Sequence, residues 1–550
     1  MDPDAQKGTP DILRQSNPRR LDWRDAACAA LIAIAVLAGA SQRVIPGVVG
    51  VFDDDAVYSI TARAIASGDG YTLTNLPGHP AQTKYPVLYP AFLSLAAMAS
   101  SSRDEQLVLM QAMTIALSAI GLAMAYLYVV HFRIGHRAAA VGAGLIVASS
   151  PNVLFYCCQT LSEMPFLVAL VAALWATESR LRSSDSSATR DLACGIALGL
   201  PFLCRLAGVA IPVAAVLAMM RRQKSVRFVA AGAAMVMVPW CLWAVFAGSA
   251  GHDSILGYHT DYIEWWRNNG SMFVPVENLL KSGVAFPSIA FEAATRWLYG
   301  RIDSPQWLLF SVGILPWMVV AVRARKLELL PVTLLAYLAL VCFWPWPPDR
   351  FLVPILPFLV AMLIETVFQF VSLRTSARAG RLALATTIAM VVSLNGWMVL
   401  QYSSVSRQSH YPYFTMPDAP VAWSDYQSAF EWLSQHTRPG EVVAAGLDTM
   451  TALYSDRPTI RPFVPHALSL YYGASDPPLG TAGEMDDTLA KYGARYLLLT
   501  PLPSYPMEGA FFDLVYAATD ETSSILRPVW QSKNDPRFAI FEVAAKPRVP

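Results

Sequence analysis

The stretches FDDDAVYSITARAIASGDGY (residues 52–71) and HPAQTKYPVLYP (79–90) set three consecutive carboxylates, Asp53, Asp54 and Asp55, shortly past the first long apolar run of the chain. In water the mutual repulsion of such a cluster is modest. Beside a low-dielectric boundary it raises pKa values, and it suits a group to take a proton or hold a cation. The triplet is therefore the first candidate for chemistry. The helical periodicity of AVYSITARAIASG puts Tyr58, Ala62 and Ile65 on one side and polar groups on another, which predicts a helix lying along a membrane surface with the carboxylates at its head. One aspartate would suffice to cap that helix and meet its dipole. Three invite a second role.

The rest of the chain shows what kind of boundary is involved. Of 550 residues, 55% are hydrophobic and 15% charged, and the mean hydropathy is +0.39. That composition excludes an ordinary soluble domain and a disordered chain, and it indicates an integral membrane protein. A net charge of +1 leaves no bulk basic surface, so nucleic acid is excluded as a partner. The seven cysteines (Cys28, Cys157, Cys158, Cys194, Cys204, Cys241 and Cys342) lie in or beside apolar stretches without metal-ligand spacing. They read as small buried side chains, and none falls past residue 400 to staple the tail.

Apolar stretches long enough to approach a crossing of about 30 Å recur at 26–41, 106–130, 138–156, 161–178, 190–204, 206–221, 227–248, 305–322, 327–345, 351–372 and 381–402. The expected fold is a polytopic α-helical membrane protein of about eleven transmembrane helices. PVLYPAFLSLAAMAS (86–100) is short, proline-rich and tied to the acidic loop, and reads as a juxtamembrane or half-inserted helix. Arg14, Arg19, Arg20 and Arg24 precede the first run, which has no small-residue cleavage site; they predict an uncleaved span with a cytosolic N-terminus. With eleven spans the basic clusters at 133–137, 180–190, 221–227, 323–326 and 374–381 all fall on that same side, in keeping with the positive-inside rule. The triplet, Glu163, Arg205, the loop 249–304, Arg350 and everything past 402 then share the exterior face.

Past residue 402 the composition becomes that of a small α/β module. DYQSAFEWLSQH (425–436) and DDTLAKYG (486–493) read as helices, and EVVAAGL (441–447), ARYLLLTP (494–501) and FAIFEV (538–543) as strands. The organisation expected is a cytosolic tail at 1–24, a membrane domain at 25–402 with exterior loops at 42–105 and 249–304, and an exterior α/β domain at 403–550.

Several charged residues share the triplet's expected face. Lys84 stands just before the YPVLYP turn, Arg205 occupies the reversal GLPFLCRLAG (199–208), and Arg350 opens a span in WPWPPDRFLVPILPFL (344–359). Each alone could snorkel to headgroups. Together they suggest a grip on a phosphate, with lysine as a compact charge and arginine able to bind it bidentately. Glu163, in QTLSEMPF (159–166), is a carboxylate at a membrane edge and a functional candidate; its plainer role is a helix-start cap with Ser162. In GHDSILGYHTDYIEWWRNNG (251–270), His252, Asp253, His259, Asp261 and Glu264 are potential metal ligands in no strict pattern. His259, Asp261 and Trp265 are kept as weak candidates for contact with a sugar or acceptor, since Tyr258, Tyr262, Trp265 and Trp266 more often form an interfacial aromatic belt.

The order of these elements carries a resemblance. An aspartate cluster, A-x-Y, G-D-G-Y, K-x-P-x-L-Y-P, S-E-x-P, an arginine-bearing hairpin and R-F-L-x-P-x-L-P-F follow one another as in the GT-C superfamily of membrane glycosyltransferases. The chain most resembles bacterial relatives of protein O-mannosyltransferases and of the lipid A aminoarabinose transferase. The likeness covers residues 20–402 and, more loosely, the tail. It implies a glycosyltransferase of a bacterial inner or plasma membrane that moves a sugar from a polyprenyl-phosphate donor to a hydroxyl on a lipid, polysaccharide or protein acceptor, with inversion.

Residue by residue, Asp54 and Asp55 fall on the family's Asp-Glu pair, with Asp in place of Glu and with Asp53 preceding them, so that all three stay candidates for the catalytic base. Tyr58 matches the following tyrosine. Lys84, with Tyr85 beside it, resembles a donor-phosphate contact. Glu163 matches an acidic residue of the second exterior loop, while Arg205 and Arg350 match basic positions flanking the lipid-phosphate pocket. No cofactor is certain from the resemblance; a divalent cation stays open, with Asp53 and Asp55 as its ligands. The rival readings are a non-catalytic glycan- or lipid-binding assembly subunit of the same fold, an exterior phosphoryl-group transferase, for which the sequence shows neither metal cluster nor nucleophile, and a secondary transporter. The last is disfavoured because transport sites sit near the membrane midplane on broken helices.

Overall fold

In water-free surroundings every backbone N–H and C=O needs a partner within its own segment, and each of the eleven apolar stretches accordingly forms helix. The computed structural model describes residues 18–184, 187–248, 254–302, 305–374, 376–503, 506–520 and 525–544; Arg14 lies outside them. The helices are α1 (Trp23–Arg43), α2 (Asp54–Ser67), α3 (Leu88–Ala99), α4 (Arg103–His131), α5 (Arg137–Ser149), α6 (Pro151–Cys158), α7 (Glu163–Arg182), α8 (Ala188–Cys204), α9 (Ala210–Arg221), α10 (Arg227–Ala247), α11 (Ser254–Thr260), α12 (Tyr262–Asn269), α13 (Val274–Ala290) and α14 (Glu292–Tyr299). They continue with α15 (Gln306–Ala324), α16 (Leu329–Cys342), α17 (Asp349–Leu352), α18 (Leu356–Arg374) and α19 (Ala377–Ser409).

Seven of these segments are long and apolar enough to cross a membrane, and α5 with α6 makes an eighth crossing if the 66° bend between them is counted within one span. Ser150 and Pro151 explain the bend. Proline cannot extend a helix that precedes it, whereas it suits a first turn, and the Ser150 hydroxyl accepts the Val153 N–H of the new helix. The remaining expected spans are shorter than a full crossing. α8 has 17 residues and α16 has 14, and a helix of 14 residues rises about 21 Å. A 3-10 turn at Leu206–Val209 leads into α9.

The charges sort to two ends. At one, Arg137 pairs with Asp22 and Asp25 at 2.8 Å, Arg182 donates to the Phe132 carbonyl (3.2 Å), Arg323 to that of Ile134 (3.3 Å) and Lys224 to that of Ser183 (2.7 Å), so basic loops far apart in sequence are gathered together. At the far ends of α1 and α4, Arg43 donates to the Tyr413 carbonyl at 2.7 Å and Arg103 to that of Tyr454 at 3.0 Å. Those two carbonyls belong to the C-terminal module, which therefore sits on the end opposite the basic loops.

The module comprises α20 (Trp423–His436), β1 (Val443–Ala445), α21 (Asp448–Ser455), β2 (Thr459–Ile460), α22 (Ala467–Tyr471), α23 (Ala482–Tyr492), β3 (Tyr496–Leu499), α24 (Glu508–Asp520), β4 (Leu526–Gln531) and β5 (Ala539–Val543). The sheet order is β2-β1-β3-β5-β4, parallel through the first three strands and antiparallel through the last two. α23 starts on a Thr481–Glu484 capping box and stops at Gly493, whose φ of 60° suits glycine. β4 carries Pro528 beside a bulge, which is tolerable because β4 is an edge strand.

One expectation needs correcting. α2 does not lie on a surface: Ala56, Val57, Tyr58, Ser59, Ile60, Thr61, Ala62 and Ala64 are all buried, between α3 and the module's α21. Its polar side can be covered because Ser59 donates to the Asp55 carbonyl (2.9 Å) and Thr61 to that of Val57 (2.8 Å), so neither hydroxyl enters the core unpaired.

Candidate active site

The three aspartates of the triplet point to three different sets of partners. Asp55 turns back on the turn that precedes it, accepting the Gly50 N–H at 2.7 Å and the Phe52 N–H at 3.0 Å. Burial outweighs these bonds and pushes its carboxyl up to about 6. Asp53 precedes the helix with φ 64° and ψ −58°, a backbone state rare for a non-glycine residue, and caps nothing with its side chain. Its carboxylate instead meets Arg461 at 2.9 Å and the Thr449 hydroxyl at 2.5 Å, both from the C-terminal module. Burial, only partly offset by Arg461, holds Asp53 above its ordinary value.

Asp54, the first residue of α2, faces the membrane domain. Arg350 pairs with its Oδ2 and the Tyr85 hydroxyl donates to its Oδ1. Burial alone would raise this carboxyl, but Arg350, the nearby positive charge of Lys84 and the Tyr85 hydrogen bond together hold it below its ordinary value.

Arg350 is shared. Its Nε pairs with Glu163 at the head of α7, and Glu163 in turn pairs with Arg205 at 2.7 Å, in the break between α8 and the 3-10 turn. Arg205 also donates to the Ser162 hydroxyl (2.9 Å), which contacts the Tyr58 hydroxyl (2.9 Å). The fully buried Glu163 keeps one oxygen, Oε2, without a hydrogen-bond partner among the described residues. Glu163 is thus no cap for its own helix, and Ser162 makes no side-chain cap bond.

Lys84 lies buried beside this chain of charges. Its Nζ donates to the Tyr258 carbonyl at 2.9 Å and stands 4.2 Å from the centre of the Tyr258 ring. Burial, offset in part by Asp54 and Asp53, lowers its ammonium to about 8. Five expected site residues therefore form one charged assembly with Tyr85 and Tyr58 at its edge: Lys84 and Glu163 are buried, and Asp54, Arg205 and Arg350 are half-buried.

The weaker candidates go elsewhere. His259 is buried with its Nε2 3.3 Å from Asp448 of the module. Asp261 accepts the Ile263 N–H at 2.7 Å and so starts α12. Trp265 is buried, stacked on Trp346 with ring centres 5.6 Å apart, so one of its faces is already covered by protein. His252 and Asp253 lie outside the described residues, as do the side chains of Tyr262 and Glu264.

The two carboxylates kept as cation ligands have other partners in the fold. Asp53 faces a guanidinium, Asp55 is wrapped by backbone N–H groups, and among the described residues no three His, Cys, Asp or Glu side chains stand together as ligands would. The residues that sequence reasoning missed are Arg461, Asp448 and Thr449. Their one signal is a lone arginine inside the apolar, proline-flanked TIRPFVP (459–465).

No family model and no curated protein sequence matches the chain. Among solved structures, ArnT from Cupriavidus metallidurans in the apo state matches with a TM-score of 0.52 and 15% identity over 96% of this chain and 99% of that one. An ArnT structure bound to undecaprenyl phosphate matches at 0.48 and 14%, again over 96% and 99%. The archaeal oligosaccharyltransferase AglB from Archaeoglobus fulgidus, in complex with an inhibitory peptide and a dolichol-phosphate, matches at 0.51 and 14% over 86% of this chain and 69% of that one. At these identities the likeness is one of fold, and the chain has the GT-C fold.

Proposed function

We propose that the chain is a glycosyltransferase that moves a sugar from a polyprenyl-phosphate donor to an acceptor hydroxyl at the exterior face of a bacterial inner membrane, with the N-terminus cytosolic and the α/β module outside. The observation that carries this reading is one carboxylate, Asp54, paired with Arg350 and close to the charge of Lys84, with Arg205 joined to Arg350 through Glu163, at one end of the membrane domain. The fold supports it, as does the dolichol-phosphate held by AglB.

In the proposed reaction the acceptor O–H gives its proton to Asp54 while its oxygen forms a bond to the anomeric carbon. The bond from that carbon to the phosphate oxygen breaks on the opposite side, and polyprenyl phosphate departs with inversion. Lys84, Arg205 and Arg350 stabilise the charge that grows on the phosphate. The shared arginine gives this scheme a trigger: a phosphate that draws Arg350 away removes the charge that keeps Asp54 a weak base, so donor binding raises its basicity. Glu163 keeps Arg205 and Arg350 charged and oriented.

The test is mass spectrometry of lipids and glycans from cells that lack the gene, complemented with wild type or Asp54→Asn. The expected result is a lipid-linked sugar that accumulates, and a glycoconjugate that disappears, in both the deletion and the mutant. Full rescue by Asp54→Asn would favour a glycan- or lipid-binding assembly subunit of the same fold.

A further inference from the structure

The second charged assembly lies across the triplet from the first. Arg461, only 3% exposed, meets Asp53 and Asp448 at 2.9 Å each. Its Nη1 donates to the Tyr258 hydroxyl at 3.3 Å. Thr449 binds Asp53 twice, through the carboxylate (2.5 Å) and through the main-chain oxygen (3.3 Å). Asp448 is also the neighbour of His259. Three parts of the chain meet here: the turn before α2, the α11 segment above Lys84, and the module.

The turn itself adds an independent observation. Asp53 holds a positive φ that an L-residue avoids, and such a state persists only where surrounding contacts over-determine it. Bonds within the turn close it locally, the Asp54 N–H donating to the Phe52 carbonyl at 2.7 Å and the Asp55 carboxylate accepting the Gly50 and Phe52 N–H groups, while the contacts on the Asp53 side chain come from Thr449 and Arg461 of the module. Because Asp53 is the residue immediately before α2, its dihedrals set the direction in which Asp54 leaves the turn. Close packing enforces the same geometry: a side chain added at Gly50, where φ is 106°, would meet Met450 of α21 at 2.6 Å.

We infer that Arg461 and Thr449 of the C-terminal module are positioning residues for the transfer reaction: acting through Asp53, they hold the strained turn that aims Asp54 at the acceptor. On this view Asp53 is neither the base nor a metal ligand, and the module completes the active site. The inference rests on the proposed glycosyl transfer and extends it to residues that touch neither donor nor acceptor.

The test uses full-length protein in membranes or nanodiscs, with two readouts. One is glycoconjugate yield per folded protein in complemented cells. The other is binding of undecaprenyl phosphate as a probe for the phosphate grip. Arg461→Ala is expected to cut yield by about 10- to 100-fold, the scale of an active-site misplacement of an ångström, while probe affinity stays within about twofold because Lys84, Arg205 and Arg350 are untouched. Arg461→Lys, which keeps one charge on Asp53, should restore part of the yield. Thr449→Val, nearly isosteric, guards against loss of folding in the arginine variant and should lose about three- to tenfold, the value of one hydrogen bond. Yield within twofold of wild type for both Arg461→Ala and Thr449→Val, alongside an inactive Asp54→Asn, overturns the inference and leaves the enzyme reading standing. Equal loss of yield and probe affinity in Arg461→Ala also overturns it, since the module would then act on the donor site as a whole. If wild type itself transfers no sugar, the proposed function falls and takes the inference with it.

Discussion

The two charged assemblies on either side of α2 are built from the same side chains and differ in origin. The one around Asp54 joins Arg350, Glu163 and Arg205, residues at the heads or breaks of membrane helices, where a charge is costly unless it is used. The one around Asp53 joins Arg461, Asp448 and Thr449, all from an α/β module where such charges are ordinary. In the proposed reaction the first releases a cation to an incoming anion. The second ties the turn before α2 to the module and to α11. The difference shows that adjacency in sequence, as in Asp53 and Asp54, need not mean a shared role.

Substitution tests that contrast from its most sensitive point. Asp54→Asn removes the proposed base and should lower turnover by about 10²- to 10⁴-fold, with undecaprenyl phosphate binding retained; unchanged turnover would move the base to a neighbour. Arg350→Ala strips a partner from the buried Glu163 and the half-buried Asp54 at once and should destabilise the protein by about 3–5 kcal/mol. Thermal unfolding in nanodiscs would show it, and a shift no larger than that of a surface arginine would mean Asp54 and Glu163 do not depend on Arg350.

Two pH measurements sharpen the comparison further. The proposed phosphate grip needs Lys84 protonated, and its ammonium is lowered to about 8. Donor-limited rate should therefore fall about tenfold per pH unit above that value, and Lys84→Arg should move the fall to higher pH. Asp55 works in the opposite sense. Its folded-state pKa of about 6 is above the ordinary 3.8, so the folded protein binds that proton more tightly than the unfolded chain. Its stabilising effect is complete below about 4 and is lost as pH rises through about 6. Wild type should lose stability relative to Asp55→Asn across that window while turnover of the mutant stays near wild type. A parallel pH dependence of the two proteins would show that Asp55 does not titrate there.

What the sequence made legible follows from how its signals arise. Spans declare themselves by composition, and a charge at the end of one, such as Glu163 or Arg350, stands out against an apolar background. For that reason the Asp54 assembly could be gathered from spacing and side alone. The strands β1, β3 and β5 were visible as apolar runs bounded by turn residues. β2, with two residues, and β4, interrupted by Pro528, were not. Burial of α2 was hidden because the cover comes from α21, which lies beyond the last span and carries no motif. Arg461 was hidden for the same reason, as was the place of His259 beside Asp448 of that module. The bend at Ser150 and the short α16 were within reach of proline and length arguments, yet hydropathy alone reads both as whole spans.

The tie between Asp53 and Thr449 joins positions 396 residues apart. At a synthesis rate of about 5–20 residues per second, some 20 to 80 s separate the appearance of the two on a growing chain. Throughout that interval the acidic turn lacks the Thr449 and Arg461 contacts on Asp53, so a chain interrupted before the module would carry every charged residue of the Asp54 assembly without the contacts proposed to aim Asp54. For the proposed reaction the timing of biosynthesis would then be a safeguard: a half-made chain, already threaded into the membrane, stays silent until its last domain has folded onto it.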